Sequence, residues 1–224
     1  MTSYRKPGPV DYRRPRTPGR APQELQRLRI TFSRGPEVKY ISHLDLMRLW
    51  ERVLRRAKLP LAFSEGFSPH PRLALATPLP VGVTAAAEWM EVYLCRRVSP
   101  RYFLEHVQPQ LPAGIGISQV GEAPIGAPSL QSQVRQAEYR VDVEGSMTQR
   151  EIEDRIAGLL AEKTLPILRH RPGGAKSLDL RALVQEVWVE ALEGGRCRLG
   201  MLLRTDPQGS GRADEVVAAL GLGE

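Results

Sequence analysis

From Arg27 to Ser33 the chain reads Arg-Leu-Arg-Ile-Thr-Phe-Ser. This alternation of apolar and polar residues predicts a strand with one buried face, stopped by Gly35-Pro36. Leu46, Leu49, Trp50, Val53, Leu54 and Ala57 then recur at helical spacing behind Ser42 and Asp45, a capping-box-like pair. A helix is therefore predicted over about residues 43–58. Leu73–Leu79 reads as a second strand, broken by Pro78 and followed by Pro80. Glu88–Cys95 reads as a third, with Trp89, Glu91 and Tyr93 alternating against Met90, Val92 and Leu94. Ser99-Pro100 opens a short helix through His106, because Ser caps amides and Pro fits the first helical position. Ile115–Val120 is the fourth strand. The order β-α-β-β-α-β is that of a ferredoxin-like split βαβ unit.

The pattern lapses over Glu122–Gln136, where Pro, Gly, Ser, Ala and Gln give a linker composition. It then restarts with strands at Tyr139–Val143, Leu165–Arg169, Gln185–Leu192 and Cys197–Arg204. Helices are predicted at Thr148–Lys163, with Thr148 and Glu151 as a capping box, and at Ala213–Leu220, closed by Gly221. The expected fold class is α+β: two ferredoxin-like halves, the second a degraded or permuted copy of the first. They occupy residues 25–121 and 137–224, joined by a linker at 122–136.

Residues 1–24 lack hydrophobic period and are rich in Pro, Gly and Arg, the composition of a disordered basic tail. Of the chain's net charge of +7, four units lie there: Arg5, Lys6, Arg13, Arg14, Arg16 and Arg20 against Asp11 and Glu24. The tail reads as a phosphate-binding arm or as a solubilising leader. The excess of cations favours an acidic partner. No apolar run reaches the 18 to 20 or so residues of a membrane span, and the first residues lack a signal peptide's apolar core, so a cytoplasmic protein is expected. The two cysteines, Cys95 and Cys197, lie far apart, which argues against a disulfide framework, a four-Cys zinc site and a self-contained iron–sulfur cluster.

The candidate chemistry falls in two segments, one around Tyr40, His43 and Asp45, the other over Ser64, Glu65, Gly66, Phe67, His70 and Arg72. Pro69 and Pro71 withhold amide donors, so the second segment is a loop after the first helix, of a kind that often forms binding surfaces. His43 and His70, with Asp45 and Glu65, admit a metal or acid–base site. The same residues serve without chemistry as amide caps and loop anchors. Arg52, Arg55 and Arg56, with Arg48, fall on the helix side away from the apolar stripe. That side suits phosphate, and it suits equally a solvated face partly paired with Glu51. Tyr40, Phe63 and Phe67 could stack on bases or fill the core. Arg169–Lys176 is a second basic turn, but its adjacent glycines match neither a Walker nor a dinucleotide spacing. Trp89 and Trp188 are assigned to core packing.

These residues carry a resemblance. Tyr40-Ile-Ser-His-Leu-Asp-Leu-Met-Arg, Leu54-Arg-Arg-Ala, Leu59-Pro-Leu-Ala-Phe-Ser-Glu-Gly-Phe-Ser-Pro-His-Pro-Arg and Pro78-Leu-Pro-Val-Gly-Val resemble the radical SAM-linked (radical SAM-associated) domain family, a family of unknown function. The likeness runs from about Arg27 to the C-terminus, including Arg212-Ala-Asp-Glu-Val-Val-Ala-Ala-Leu-Gly, with the distinctive motifs in the first hundred residues. Members look like companions of B12-binding radical SAM proteins, fused to them or made separately, and a start at Met1 with its own tail looks like the separate form.

The resemblance implies a non-catalytic accessory or substrate-binding role beside a B12-binding radical SAM enzyme. The partner would carry the iron–sulfur cluster, SAM and cobalamin, and this chain no cofactor. The family supplies no catalytic residues, so Tyr40, His43, Asp45 and the Ser64–Arg72 segment are expected as a recognition surface. Two rival readings remain at this point: an RNA-binding module built on Arg52, Arg55, Arg56 and the tail, and a stand-alone metal-dependent enzyme using His43, Asp45, Glu65 and His70.

Overall fold

Strand β1 (Gln26–Arg34) turns Leu28, Ile30 and Phe32 to its buried side, as the alternation requires. The computed structural model describes residues 24–65, 67–171, 174–206 and 209–222. Residues 1–23, which hold nearly all of the expected tail, and Gly66 lie outside them. β1 is central in a four-stranded sheet. It pairs with β3 (Ala85–Leu94), from Gln26 opposite Leu94 to Arg34 opposite Ala85, and on its other edge with β4 (Ile115–Ala123). β2 (Leu73–Leu75) pairs with β3, giving the order β2-β3-β1-β4 with every pair antiparallel. The second strand ends at Leu75 and not at Leu79.

Helices α1 (His43–Arg56) and α2 (Pro100–Val107) contribute Leu46, Trp50, Val53, Phe103 and Val107 to one core with Leu28, Ile30, Phe32, Met90, Val92 and Leu94. Each large side chain so buried contributes roughly 1.5 to 3 kcal/mol by leaving water. The Trp50 indole meets the Phe32 ring edge-on, with centroids 5.0 Å apart at 72°. Both helices begin as predicted: Ser42 Oγ accepts from the Asp45 amide at 3.1 Å and Ser99 Oγ from the Tyr102 amide at 3.1 Å.

The chain divides between Gln131 and Ser132 into two compact units. That point falls in the short helix α3 (Leu130–Gln133). Part of the stretch expected as linker is folded onto the first unit. Arg27 Nη1 donates to the carbonyls of Pro124 and Ala127 at 3.3 and 2.7 Å, Arg27 Nη2 to that of Pro128 at 2.8 Å, and Gln131 Nε2 to that of Leu75 at 2.7 Å.

In the second unit β9 (Arg196–Asp206) lies between β5 (Gln136–Glu144) and β8 (Val184–Glu193), antiparallel to both, and β10 (Gly209–Ser210) folds back on its end. Helices α4 (Gln149–Ala161) and α5 (Ala213–Ala219) bury Ile152, Ile156, Leu159 and Val216 with Leu199, Met201 and Leu203. β6 (Pro166–Arg171) pairs with β7 (Gly174–Asp179), a strand absent from the sequence reading because Gly-Ala-Lys-Ser-Leu-Asp carries no apolar alternation. The basic stretch Arg169–Lys176 thus holds the paired ends of β6 and β7, with Pro172 and Gly173 outside the described residues. Its Arg169 is buried in a two-pronged ion pair with Glu215, at 2.7 and 2.5 Å. Altogether the fold is mixed α+β with antiparallel sheets and, among the described residues, five α-helices, none long and apolar enough to cross a membrane.

Candidate functional site

Arg34, at the end of β1, positions the first motif. Its side chain is buried, with Nε donating to the carbonyl of Val38 at 3.2 Å and Nη2 to those of Lys39 and Ile41 at 2.9 and 2.8 Å. Arg34 gives the Ile41 carbonyl its donor and adds a second one to those of Val38 and Lys39, which also accept from the Ile41 and Gly82 amides, so the turn before α1 is tied to the sheet. The Gly82 amide donates to the Lys39 carbonyl at 2.8 Å, which brings the 78–83 motif against the same turn. Tyr40 and Leu44 stand exposed there, His43 is half-buried and Asp45 is exposed. The hydroxyl of Ser42, donating at 2.8 Å, and Arg48, at 3.2 Å, hold the Asp45 carboxyl below its ordinary range.

An open cleft of about 520 Å³ lies at this end, lined by Ser33, Gly35, Thr84, Ala85, Gly114 and Gly116 among others. Its floor is crowded: Gly114 has a positive φ of 85°, and a side chain there would meet Glu37 Oε2 at 2.7 Å. On β3, burial pushes the Glu88 carboxyl up, partly opposed by the charge of Arg34.

The second motif is a closed loop. The Ser64 amide donates to the His70 carbonyl at 2.8 Å, the His70 amide to Ser64 Oγ at 3.1 Å, and the Arg72 amide to the Ala62 carbonyl at 2.8 Å. Glu65, Phe67 and His70 point outward from it, Phe67 fully exposed. Arg72 forms an ion pair with Glu24 and lies 4.8 Å over the Tyr93 ring.

These two motifs do not converge. The Arg34 contacts place Val38–Ile41 where Arg34 meets Ala85 and Ile115, whereas Ala62 and Arg72 bond Tyr93 at the opposite end of β3. The 14 residues of α1, about 20 Å, carry the chain between them. His43 and His70 therefore share no ligand, and among the described residues no three His, Cys, Asp or Glu side chains gather as a metal site. Arg52, Arg55 and Arg56 are exposed on α1, with Arg55 over the Phe63 ring at 5.9 Å and Arg56 donating to the Gln110 carbonyl at 2.6 Å.

Residues 27–213 match a family model described as an uncharacterized protein conserved in bacteria (DUF2344). The chain belongs to this family. No curated protein matches it.

Among the described residues of this DUF2344 chain, one polar cluster was not anticipated from the sequence. On the sheet face away from α1 and α2, the fully buried carboxylate of Glu91 takes Arg27 Nη2 on one oxygen and Arg29 Nε and Nη2, at 3.1 and 2.8 Å, on the other. Two guanidinium groups on one carboxylate offset its desolvation. Trp89 shares this face and is 44% exposed, which corrects its assignment to the core. Trp188 lies across the strand pair from Gly200, where a Cβ would overlap its indole.

Proposed function

We propose that this DUF2344 chain is a non-catalytic accessory protein that docks a B12-binding radical SAM enzyme through its Glu65–Arg72 loop. The enzyme would supply the iron–sulfur cluster, SAM and cobalamin. The observation that carries the reading is Phe67: a phenylalanine fully in water on a loop pinned by the Ser64–His70 bonds. Exposing that ring costs free energy in the isolated chain, and a pinned loop loses little entropy on binding, which is the physics of an interface anchor. The His43–Asp45 end would form a separate contact, for substrate or for a second part of the enzyme.

The strand order β2-β3-β1-β4, with helices after β1 and after β3, supports the finer fold reading of the first unit as ferredoxin-like. The second unit, in which β6 pairs with β7 outside the sheet of β5, β9 and β8, departs from that order, and its reading as a degraded or permuted copy rests on the sequence pattern alone.

Titration of the purified chain against a B12-binding radical SAM protein from the same organism tests the docking reading. Phe67→Ala and His70→Ala are expected to weaken binding about tenfold or more while melting like the parent. Binding unchanged in both variants contradicts it.

A further inference from the structure

The sheet face opposite α1 and α2 carries an arrangement that the docking loop does not use. Trp89 on β3 is directly across from Thr31 on β1, which is across from Gln119 on β4. The adjacent row is Glu91, Arg29 and Gly121. The Arg29 guanidinium lies 5.8 Å from the Trp89 ring centroid while its nitrogens hold Glu91, so the cation is fixed beside the indole. Among the described residues, a Cβ at Gly121, the position across from Arg29, would have no neighbour within 4 Å. Tyr93, on the same face, already has the guanidinium groups of Arg72 and Arg27 over its ring, at 4.8 and 5.5 Å. Trp89 is the aromatic left to water.

We propose that this face binds single-stranded RNA, one unpaired base stacking on Trp89 beside Arg29 and the open space at Gly121. Stacking on an exposed indole suits any base, and a positioned arginine meets the flanking phosphate. Thr31, half-buried, and Gln119, exposed, offer donors and acceptors at the base or ribose edge. The charge is complementary, because Glu91 is paired with two arginines and the cluster keeps one net positive charge. A duplex hides its base faces and does not fit. The proposal goes beyond the accessory reading and uses a different surface, so either can fail alone.

The test is fluorescence anisotropy of the whole chain with a labelled single-stranded RNA of about 12 nucleotides, and with the same RNA as duplex, at about 50 and 200 mM salt. Binding of the single strand is expected, with quenching of tryptophan emission. Trp89→Ala should lower affinity about tenfold. Trp89→Phe should recover most of it. Gly121→Glu, which sets a carboxylate in open space, should lower affinity by a similar factor, and Gly121→Ala by less than about twofold. Absence of binding, equal binding of the duplex, or parental affinity in Trp89→Ala and Gly121→Glu overturns the proposal. So does loss confined to Arg52→Ala, Arg55→Ala and Arg56→Ala, which would put RNA on α1.

Discussion

His43 and His70 lie at opposite ends of the four-stranded sheet, separated by the length of α1. They share neither a ligand nor a hydrogen-bond network, so their substitutions should act independently. In His43→Ala, His70→Ala and the double variant, the changes in unfolding free energy should each be about 1 kcal/mol or less and should add within about 0.5 kcal/mol. Added Zn²⁺ should leave the melting temperature of the parent unchanged. A zinc-dependent rise lost in either variant contradicts the geometry.

Arg34 is the fastening of the first motif. Arg34→Met keeps the aliphatic stem but leaves the Ile41 carbonyl without its donor and those of Val38 and Lys39 with only their backbone donors, the Ile41 and Gly82 amides. The expected loss is about 3 kcal/mol or more, read as a lower denaturant midpoint. A change below about 1 kcal/mol would mean that these carbonyls find other partners.

Glu88 gives stability a defined pH dependence. Burial raises its folded-state pKa above the ordinary 4.5. The folded chain therefore holds the proton to higher pH than the unfolded chain does. The contribution to stability is fully present below about 4.5 and is lost as pH rises through the folded pKa. Glu88→Gln should melt above the parent at pH 7, with the gain vanishing near pH 4. Parallel curves for the two proteins across that range would contradict the assignment.

Gly200 and Trp188 make a reciprocal fit in the second unit. Gly200→Ala should cost about 1 to 3 kcal/mol, because the indole must leave its place. In a Trp188→Leu background the same substitution should cost much less, and a double-mutant cycle measures that coupling.

Much of the first unit is legible from alternation. Leu28, Ile30 and Phe32 against Arg27, Arg29 and Thr31 fix both the strand and its buried side. In β3 the same rule separates Met90, Val92 and Leu94 from Trp89, Glu91 and Tyr93. The more apolar set is the one that meets the helices, and reading Trp89 with its polar neighbours would have put it outside. The β6–β7 hairpin escaped notice because β7 is mostly exposed along Gly174–Ser177, and an exposed ribbon needs no apolar period. The separation of the two motifs was available from helix length alone, since a helix beginning at His43 and ending near Lys58 carries the chain away before Ser64. The Arg27–Glu91–Arg29 cluster was not, because its three residues meet only through the register of β1 against β3.

The central claim is that the chain works beside a radical SAM enzyme, bound through the Phe67 loop. Isolation of the chain from its own host, with and without RNase and with Phe67→Ala in parallel, measures this most directly. The account predicts that mass spectrometry identifies a B12-binding radical SAM protein with the parent whether or not RNase is present, and that Phe67→Ala loses it. Recovery of RNA without that enzyme, or equal recovery of the enzyme by Phe67→Ala, contradicts it.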